Sequence, residues 1–215
     1  MKKHFVLARK NVKSFLSHPA PYKMLFVRTP QNDWNVESAL CTYPGALLSK
    51  YGESQAEGLE EHIFRSLANK FDFYHCSELY RSGHLATKIL GLKYESKINE
   101  DMSLNEWDFG INKYEVYEGL SESELNKFSS FDYRFSKGES FGEVRARSLE
   151  FIEQQKLGTH LVFTHGGVIY SLLQDQGLLT IPPPGSIIGT IIDHDTMEIH
   201  CIDFTWEFPI IPATR

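Results

Sequence analysis

Short runs of apolar residues alternate along the chain with segments whose apolar positions recur every three or four residues. This alternation predicts strands separated by helices. The first run, Met24-Leu25-Phe26-Val27, has a proline near either end (Pro21 and Pro30) and suits a buried parallel strand. From Glu53 to Asn69, the residues Ala56, Leu59, Ile63 and Leu67 fall on one helix face. Phe71 to Cys76 reads as a second strand, and Gly83 to Leu90 as a short helix ended by Gly91. Residues 104–137 are rich in turn formers and aromatics, which suits a lid of short helices and loops. Ser140 to Gln155 reads as a helix with Val144, Leu149 and Ile152 apolar, and Leu161 to Thr164 as a third buried strand. Gly166-Gly167 and a helical run, Val168 to Gln174, come next. Beyond the break at Pro182-Pro183-Pro184-Gly185, Ile187 to Ile192 and Glu198 to Phe204 read as strands joined by an Asp-rich turn.

Strands separated by helices imply a three-layer α/β/α sandwich with a mostly parallel central sheet. Ligands of such sheets bind beyond the carboxyl ends of the strands. The length of 215 residues suits one such domain, read here as residues 23–215 after an N-terminal extension, 1–22.

Composition narrows the function classes. With 41% hydrophobic and 23% charged residues the chain is ordinary for a globular protein. A net charge of −6 argues against a broad nucleic-acid surface, which needs dense Lys and Arg. One local arginine cluster still suffices for a small phosphorylated ligand. The three cysteines, Cys41, Cys76 and Cys201, form no C-x-x-C pair and suit free thiols in a reducing compartment. The apolar patch Phe5-Val6-Leu7-Ala8 is cut short by Arg9 and Lys10, too early for a signal-peptide core, and no segment nears the ~20 apolar residues of a membrane span. The expectation is a cytoplasmic protein with no membrane or nucleic-acid partner; a homodimer is allowed.

Two polar clusters follow predicted strands: Arg28-Thr29-Pro30 and His165-Gly166-Gly167. In the second, glycine lets the backbone approach a ligand, and the free N–H groups of the helix that begins there suit an anion. The same strand–Gly-Gly–helix turn also serves as a purely structural device. Asp193-His194-Asp195 has metal-ligand residue types but fits a tight turn between strands better. No G-x-S-x-G elbow, G-x-G-x-x-G or G-x-x-x-x-G-K loop is present.

Taken in order, the elements resemble the histidine phosphatase (phosphoglycerate-mutase-like) superfamily. That family opens with a strand and Arg-His-Gly-Glu-Thr-x-x-Asn; here the run is Arg28-Thr29-Pro30-Gln31-Asn32-Asp33-Trp34-Asn35. Leu-Thr-x-x-Gly-x-x-Gln-Ala appears as Leu48-Ser49-Lys50-Tyr51-Gly52-Glu53-Ser54-Gln55-Ala56. Ser-Pro-Leu-x-Arg appears as Ser77-Glu78-Leu79-Tyr80-Arg81, and Leu-x-Glu-x-x-Phe-Gly as Leu104 to Gly110 with Glu106. Gly138-Glu139-Ser140 with Arg147, and Thr164-His165-Gly166-Gly167, complete the series.

The resemblance implies a phosphate pocket that needs neither metal nor cofactor. In it Arg28 and Arg81 clamp phosphoryl oxygens, Asn35 adds a neutral donor, His165 bonds an oxygen that gains charge, and Glu106 is the general acid. Gly166 lines the pocket at the helix start. The departure is Thr29, where the family has its nucleophilic histidine. A hydroxyl is a weak nucleophile without a base, and a phosphothreonine ester is far harder to hydrolyse than a phosphohistidine. Pro30 and Gln31 replace the glycine and acid that follow, so three changes lie side by side. The expected function is binding of a small phosphorylated or anionic ligand, with phosphohydrolase chemistry lost or altered. An active phosphomonoesterase with another nucleophile, a protein-interaction pseudoenzyme and a biosynthetic enzyme with other chemistry are the alternatives.

Overall fold

The structure, a computed structural model, describes residues 2–36, 44–110, 130–178 and 180–205. Among these, six strands form one sheet: β1 (Tyr22–Arg28), β2 (Phe73–Cys76), β3 (Ile98–Glu100), β4 (Gly158–Thr164), β5 (Ile187–Ile192) and β6 (Ile199–Thr205). Their order is β3-β2-β4-β1-β5-β6. β3, β2, β4 and β1 run parallel to one another, and β5 pairs antiparallel with both β1 and β6. The helices are α1 (Lys2–Ser17), α2 (Asp33–Val36), α3 (Lys50–His62), α4 (Tyr80–Leu90), α5 (Phe141–Glu153) and α6 (Gly166–Leu173).

Side chains alternate across a strand, so a strand buried on both faces reads as an unbroken apolar run. In β1, Leu25 and Val27 enter one core, while Tyr22, Met24 and Phe26 enter the other. In β4, Leu161 and Phe163 divide from Val162 in the same way. The first core is covered by α1, α3 and α4, through residues such as Phe15, Leu59 and Leu85. The second is covered by α5 and α6, through Phe141, Val144, Phe151, Val168 and Ile169. The three layers and the mostly parallel sheet are therefore those expected from the pattern.

The N-terminal extension contributes a helix to this core. Phe5, Ala8, Val12 and Phe15 of α1 are all buried, at helical spacing. Lys23, buried in β1, donates through Nζ to the carbonyls of Leu16 (3.0 Å) and His18 (2.7 Å), tying the carboxyl end of α1 to the sheet.

Several boundaries differ from the pattern for local reasons. α3 begins at Lys50 because Ser49 caps it, its hydroxyl accepting from the Gly52 N–H. It ends at His62, and two 3₁₀ turns, Phe64–Ser66 and Ala68–Lys70, carry the chain on with Phe64, Leu67 and Ala68 still buried. α4 starts three residues earlier than expected, at Tyr80. α5 starts at Phe141 behind a capping box of Ser140 and Glu143. β3, absent from the sequence reading, is too short to show a period. The Asp-rich segment is a turn, with Asp193 Oδ1 accepting from the N–H groups of Asp195 (2.9 Å) and Thr196 (3.0 Å). Of the lid, 111–129 lies outside the described residues, as does Cys41.

Gly52 sets the loop after β1. A β-carbon there would lie 1.9 Å from the Gln31 carbonyl oxygen and 2.9 Å from its carbon. Backbone cannot yield cheaply to such a contact, so Gly52→Ala is expected to cost about 3 kcal/mol of stability. Urea unfolding of the variant beside wild type measures it; an unchanged midpoint would mean that α3 shifts freely.

Candidate functional site

The carboxyl ends of three adjacent strands meet at one place. β2 ends before Ser77, β4 before His165, and β1 before Thr29, with β4 between the other two. His165 is 1% exposed and lies between two hydroxyls. Its Nε2 is 2.6 Å from Ser77 Oγ, and its Nδ1 is 3.3 Å from Thr29 Oγ1. Ser77 Oγ also accepts from the Leu79 N–H at 3.3 Å. Thr29 is fixed through its backbone, since its N–H donates to Thr164 O (2.8 Å) and its carbonyl accepts from the Gly185 N–H (3.3 Å).

Guanidinium groups surround this row. Burial lowers the pKa of His165 well below the ordinary histidine value, and repulsion from Arg81, Arg28 and Arg147 adds to the effect. Its imidazole is therefore neutral. Arg81, in the first turn of α4, is itself 1% exposed. Arg28 donates through Nη1 to the Pro182 carbonyl, which anchors it to the triple-proline segment. Arg147 is paired with Glu139, Nε to Oε1 at 2.8 Å, and its Nη1 donates to Ser103 O at 2.6 Å. It thereby ties α5 to the segment that carries Glu106.

Both glycines of the His165-Gly166-Gly167 cluster serve close approach. A β-carbon on Gly166 would lie 2.8 Å from Arg28 Cζ; one on Gly167 would lie 2.4 Å from Glu106 Oε1. Glu106 Oε1 accepts from the N–H groups of Gly167 (2.8 Å) and Trp107 (3.0 Å). The first N–H groups of α6 are thus engaged by the protein's own Glu106 side chain through Oε1, and a proton carried by Glu106 would sit on Oε2. Gly166 lies against Arg28 instead.

The loop after β1 is held by amides. The Gln31 N–H donates to Gln55 Oε1 (3.0 Å), and Gln55 Nε2 donates to Pro184 O (3.1 Å). Asn35 lies in α2, where its Oδ1 accepts from the Asn32 N–H (3.1 Å) and Asn32 Oδ1 accepts from the Asn35 N–H (2.9 Å). Asn35 thus fixes the start of α2, and none of its described contacts is to Arg28, Arg81 or His165. Thr29, His165, Arg28, Arg81, Gly166 and Glu106 gather around the strand ends. Ser77, part of the motif Ser77-Glu78-Leu79-Tyr80-Arg81, joins them through its contact with His165; its position directly after a buried strand is the sequence signal of that place.

Comparison with known proteins identifies the family. The model of the histidine phosphatase superfamily (branch 1) matches residues 24–200, and the chain belongs to that family. Among solved structures, phosphoglycerate mutase from Thermus thermophilus is 24% identical, with a TM-score of 0.66 over 85% of this chain and 98% of that one. A histidine-to-alanine mutant of phosphoserine phosphatase from Entamoeba histolytica, in complex with phosphoserine, is 20% identical, with a TM-score of 0.70 over 86% of this chain and 96% of that one. At these identities the likeness establishes the fold. A search of curated proteins finds no match. Among the described residues no helix is long and apolar enough to cross a membrane.

Proposed function

We propose that this chain binds a small phosphorylated or other anionic ligand at the ends of β1, β2 and β4, with the family's phosphohydrolase chemistry lost or altered because Thr29 stands in the nucleophile's place. The observation that carries the reading is placement: Arg28 ends β1 with its guanidinium against Gly166, the residue after His165, and Arg81 is buried in the first turn of the helix that follows β2. Two buried or half-buried guanidinium groups beside a neutral imidazole make a positive field that a phosphoryl dianion would satisfy. The phosphoserine complex of the related mutant supports the reading, since that protein holds a phosphorylated ligand on the same fold. Arg28 and Arg81 would grip phosphoryl oxygens and Glu106 would face the leaving oxygen, while His165, whose two nitrogens face Ser77 and Thr29, would stand behind the bound group.

Calorimetric titration with inorganic phosphate tests this. Wild type is expected to bind, and Arg81→Ala to bind about 10–100-fold more weakly, the worth of one charge-assisted hydrogen bond. Arg81→Lys keeps the charge and guards against misfolding of the alanine variant; it should bind between the two. Equal affinity across the series would overturn the pocket assignment. Release of phosphate from generic phosphomonoesters should be very slow in wild type, because binding and electrostatics alone leave only a small part of a hydrolase's acceleration.

A further inference from the structure

The row Ser77–His165–Thr29 has the arrangement of an activated hydroxyl nucleophile: a hydroxyl in reach of a neutral imidazole whose other nitrogen is fixed by a third group. We infer that Thr29 is a phosphoryl acceptor: a small phosphomonoester bound between Arg28 and Arg81 transfers its phosphoryl group once to Thr29 Oγ1, leaving a long-lived phosphothreonine. This rests on the phosphate-binding reading above and extends it from binding to a single turnover.

The step balances without a further reactant. Thr29 Oγ1 bonds to phosphorus as the bond from phosphorus to the leaving oxygen breaks. The hydroxyl proton passes to His165 Nδ1, which is bare in the tautomer whose Nε2–H donates to Ser77 Oγ. That oxygen has a second lone pair for the Leu79 N–H it already accepts. The leaving oxygen takes the proton of a protonated Glu106 from Oε2 and leaves the Glu106 carboxylate, or takes none where it departs as a stable phenolate. The products are phosphothreonine, the free alcohol and an imidazolium.

Charge explains why the base acts only with ligand present. In the empty site, Arg28 and Arg81 oppose protonation of His165. A phosphoryl dianion between them offsets that repulsion and stabilises the imidazolium as it forms. The 3.3 Å separation of Thr29 Oγ1 and His165 Nδ1 is of the looser kind that ligand binding tightens. Charge also explains why the reaction stops. Hydrolysis would need water to attack a phosphate ester whose oxyanions repel it, with His165 already protonated beside them.

The test is a burst experiment with para-nitrophenyl phosphate on the full chain. Wild type should release about one equivalent of nitrophenolate per chain and then nearly none. Mass spectrometry should place an acid-stable phosphate on Thr29. Thr29→Ser should keep the burst, and Thr29→Val, close in volume, should lose it while still binding inorganic phosphate by calorimetry. His165→Gln should slow the burst by about 10²–10⁴-fold, the usual contribution of a general base. Phosphate binding without burst or phosphothreonine would overturn the acceptor role and leave the binding reading intact. Failure to bind phosphate would overturn both. Steady turnover that persists in Thr29→Val would assign the attack to water and overturn the inference.

Discussion

The double variant Thr29→His/Pro30→Gly is expected to hydrolyse para-nitrophenyl phosphate about 10²-fold faster than Thr29→His alone, and the single variant to stay within about tenfold of wild type. The reason is geometric. Attack on phosphorus gains from proximity only when the nucleophile stands in line at about 3–3.5 Å, and an error near 1 Å costs on the order of 10²-fold. The Thr29 backbone is pinned on two sides, by Thr164 O and the Gly185 N–H, so the direction of any side chain at this position is set by the main chain. Pro30 tightens the constraint, holding its own φ near about −65° and restricting the residue before it. It also contributes no N–H, so glycine at 30 would return a backbone donor to the loop. Stopped assays of the single and double variants on one substrate measure the ratio. Rapid quench, with acid lability as the criterion, identifies phosphohistidine. Equal rates would show that Pro30 does not govern the geometry. Absence of phosphohistidine in both, with phosphate binding kept, would show that the loop around Gln31 and Gln55 has carried position 29 out of line.

The sequence was most informative where chemistry lies close to a strand end. Arg28, Thr29 and His165 follow apolar runs that read directly as buried strands, and the sheet brings them together because β1 and β4 are neighbours in register from Tyr22 and Gly158 to Arg28 and Thr164. Gly166 and Gly167 were recognisable as close-approach positions, but not what approaches. That Glu106 occupies the Gly167 N–H follows from a contact across 61 residues, which no local pattern encodes. The role of Ser77 has no local signature, because a serine after a strand is common and its partner, His165, lies 88 residues on. The antiparallel run of β5 and β6 depends on the turn at 193–197, where Met197 has a φ of 56°. The packing of α1 was hidden for another reason. Its buried residues, Phe5, Ala8, Val12 and Phe15, are interleaved with Arg9, Lys10 and Lys13, so composition drew attention to charge while the three-and-four spacing carried the fold.

Stability is expected to fall steeply between pH 7 and pH 5, before ordinary carboxylates titrate. Three buried histidines resist protonation. Burial takes His75 down to about 3, helped by the neighbouring His160. Burial also lowers His160, against the opposing pull of the Lys156 carbonyl and Asp72, and lowers His165 well below its ordinary value. His75 and His160 form a chain: His160 Nε2 lies 2.9 Å from Lys156 O, and His75 Nε2 lies 2.9 Å from His160 Nδ1. If His160 donates to that carbonyl, its Nδ1 is the acceptor for His75, and neither ring gains a partner for an added proton. The sign follows from linkage. An unfolded histidine protonates near 6.5 and the folded ones only at lower pH, so the unfolded state binds more protons below that value and stability drops as pH falls. Each histidine that stays neutral to pH 5 withdraws about 2 kcal/mol there, a large share of the roughly 5–15 kcal/mol of a typical domain. Glu53 and Asp193, held below their ordinary values, give up their contributions only as pH falls further, through their folded values, so the pH 7–5 window isolates the histidines. Urea unfolding at pH 7 and pH 5 measures the loss. The double variant His75→Phe/His160→Phe removes both rings of the chain together, which leaves no buried nitrogen without its partner, and should reduce the pH slope while the contribution of His165 persists. An equal urea midpoint at both pH values in wild type would show that these rings protonate in the folded state.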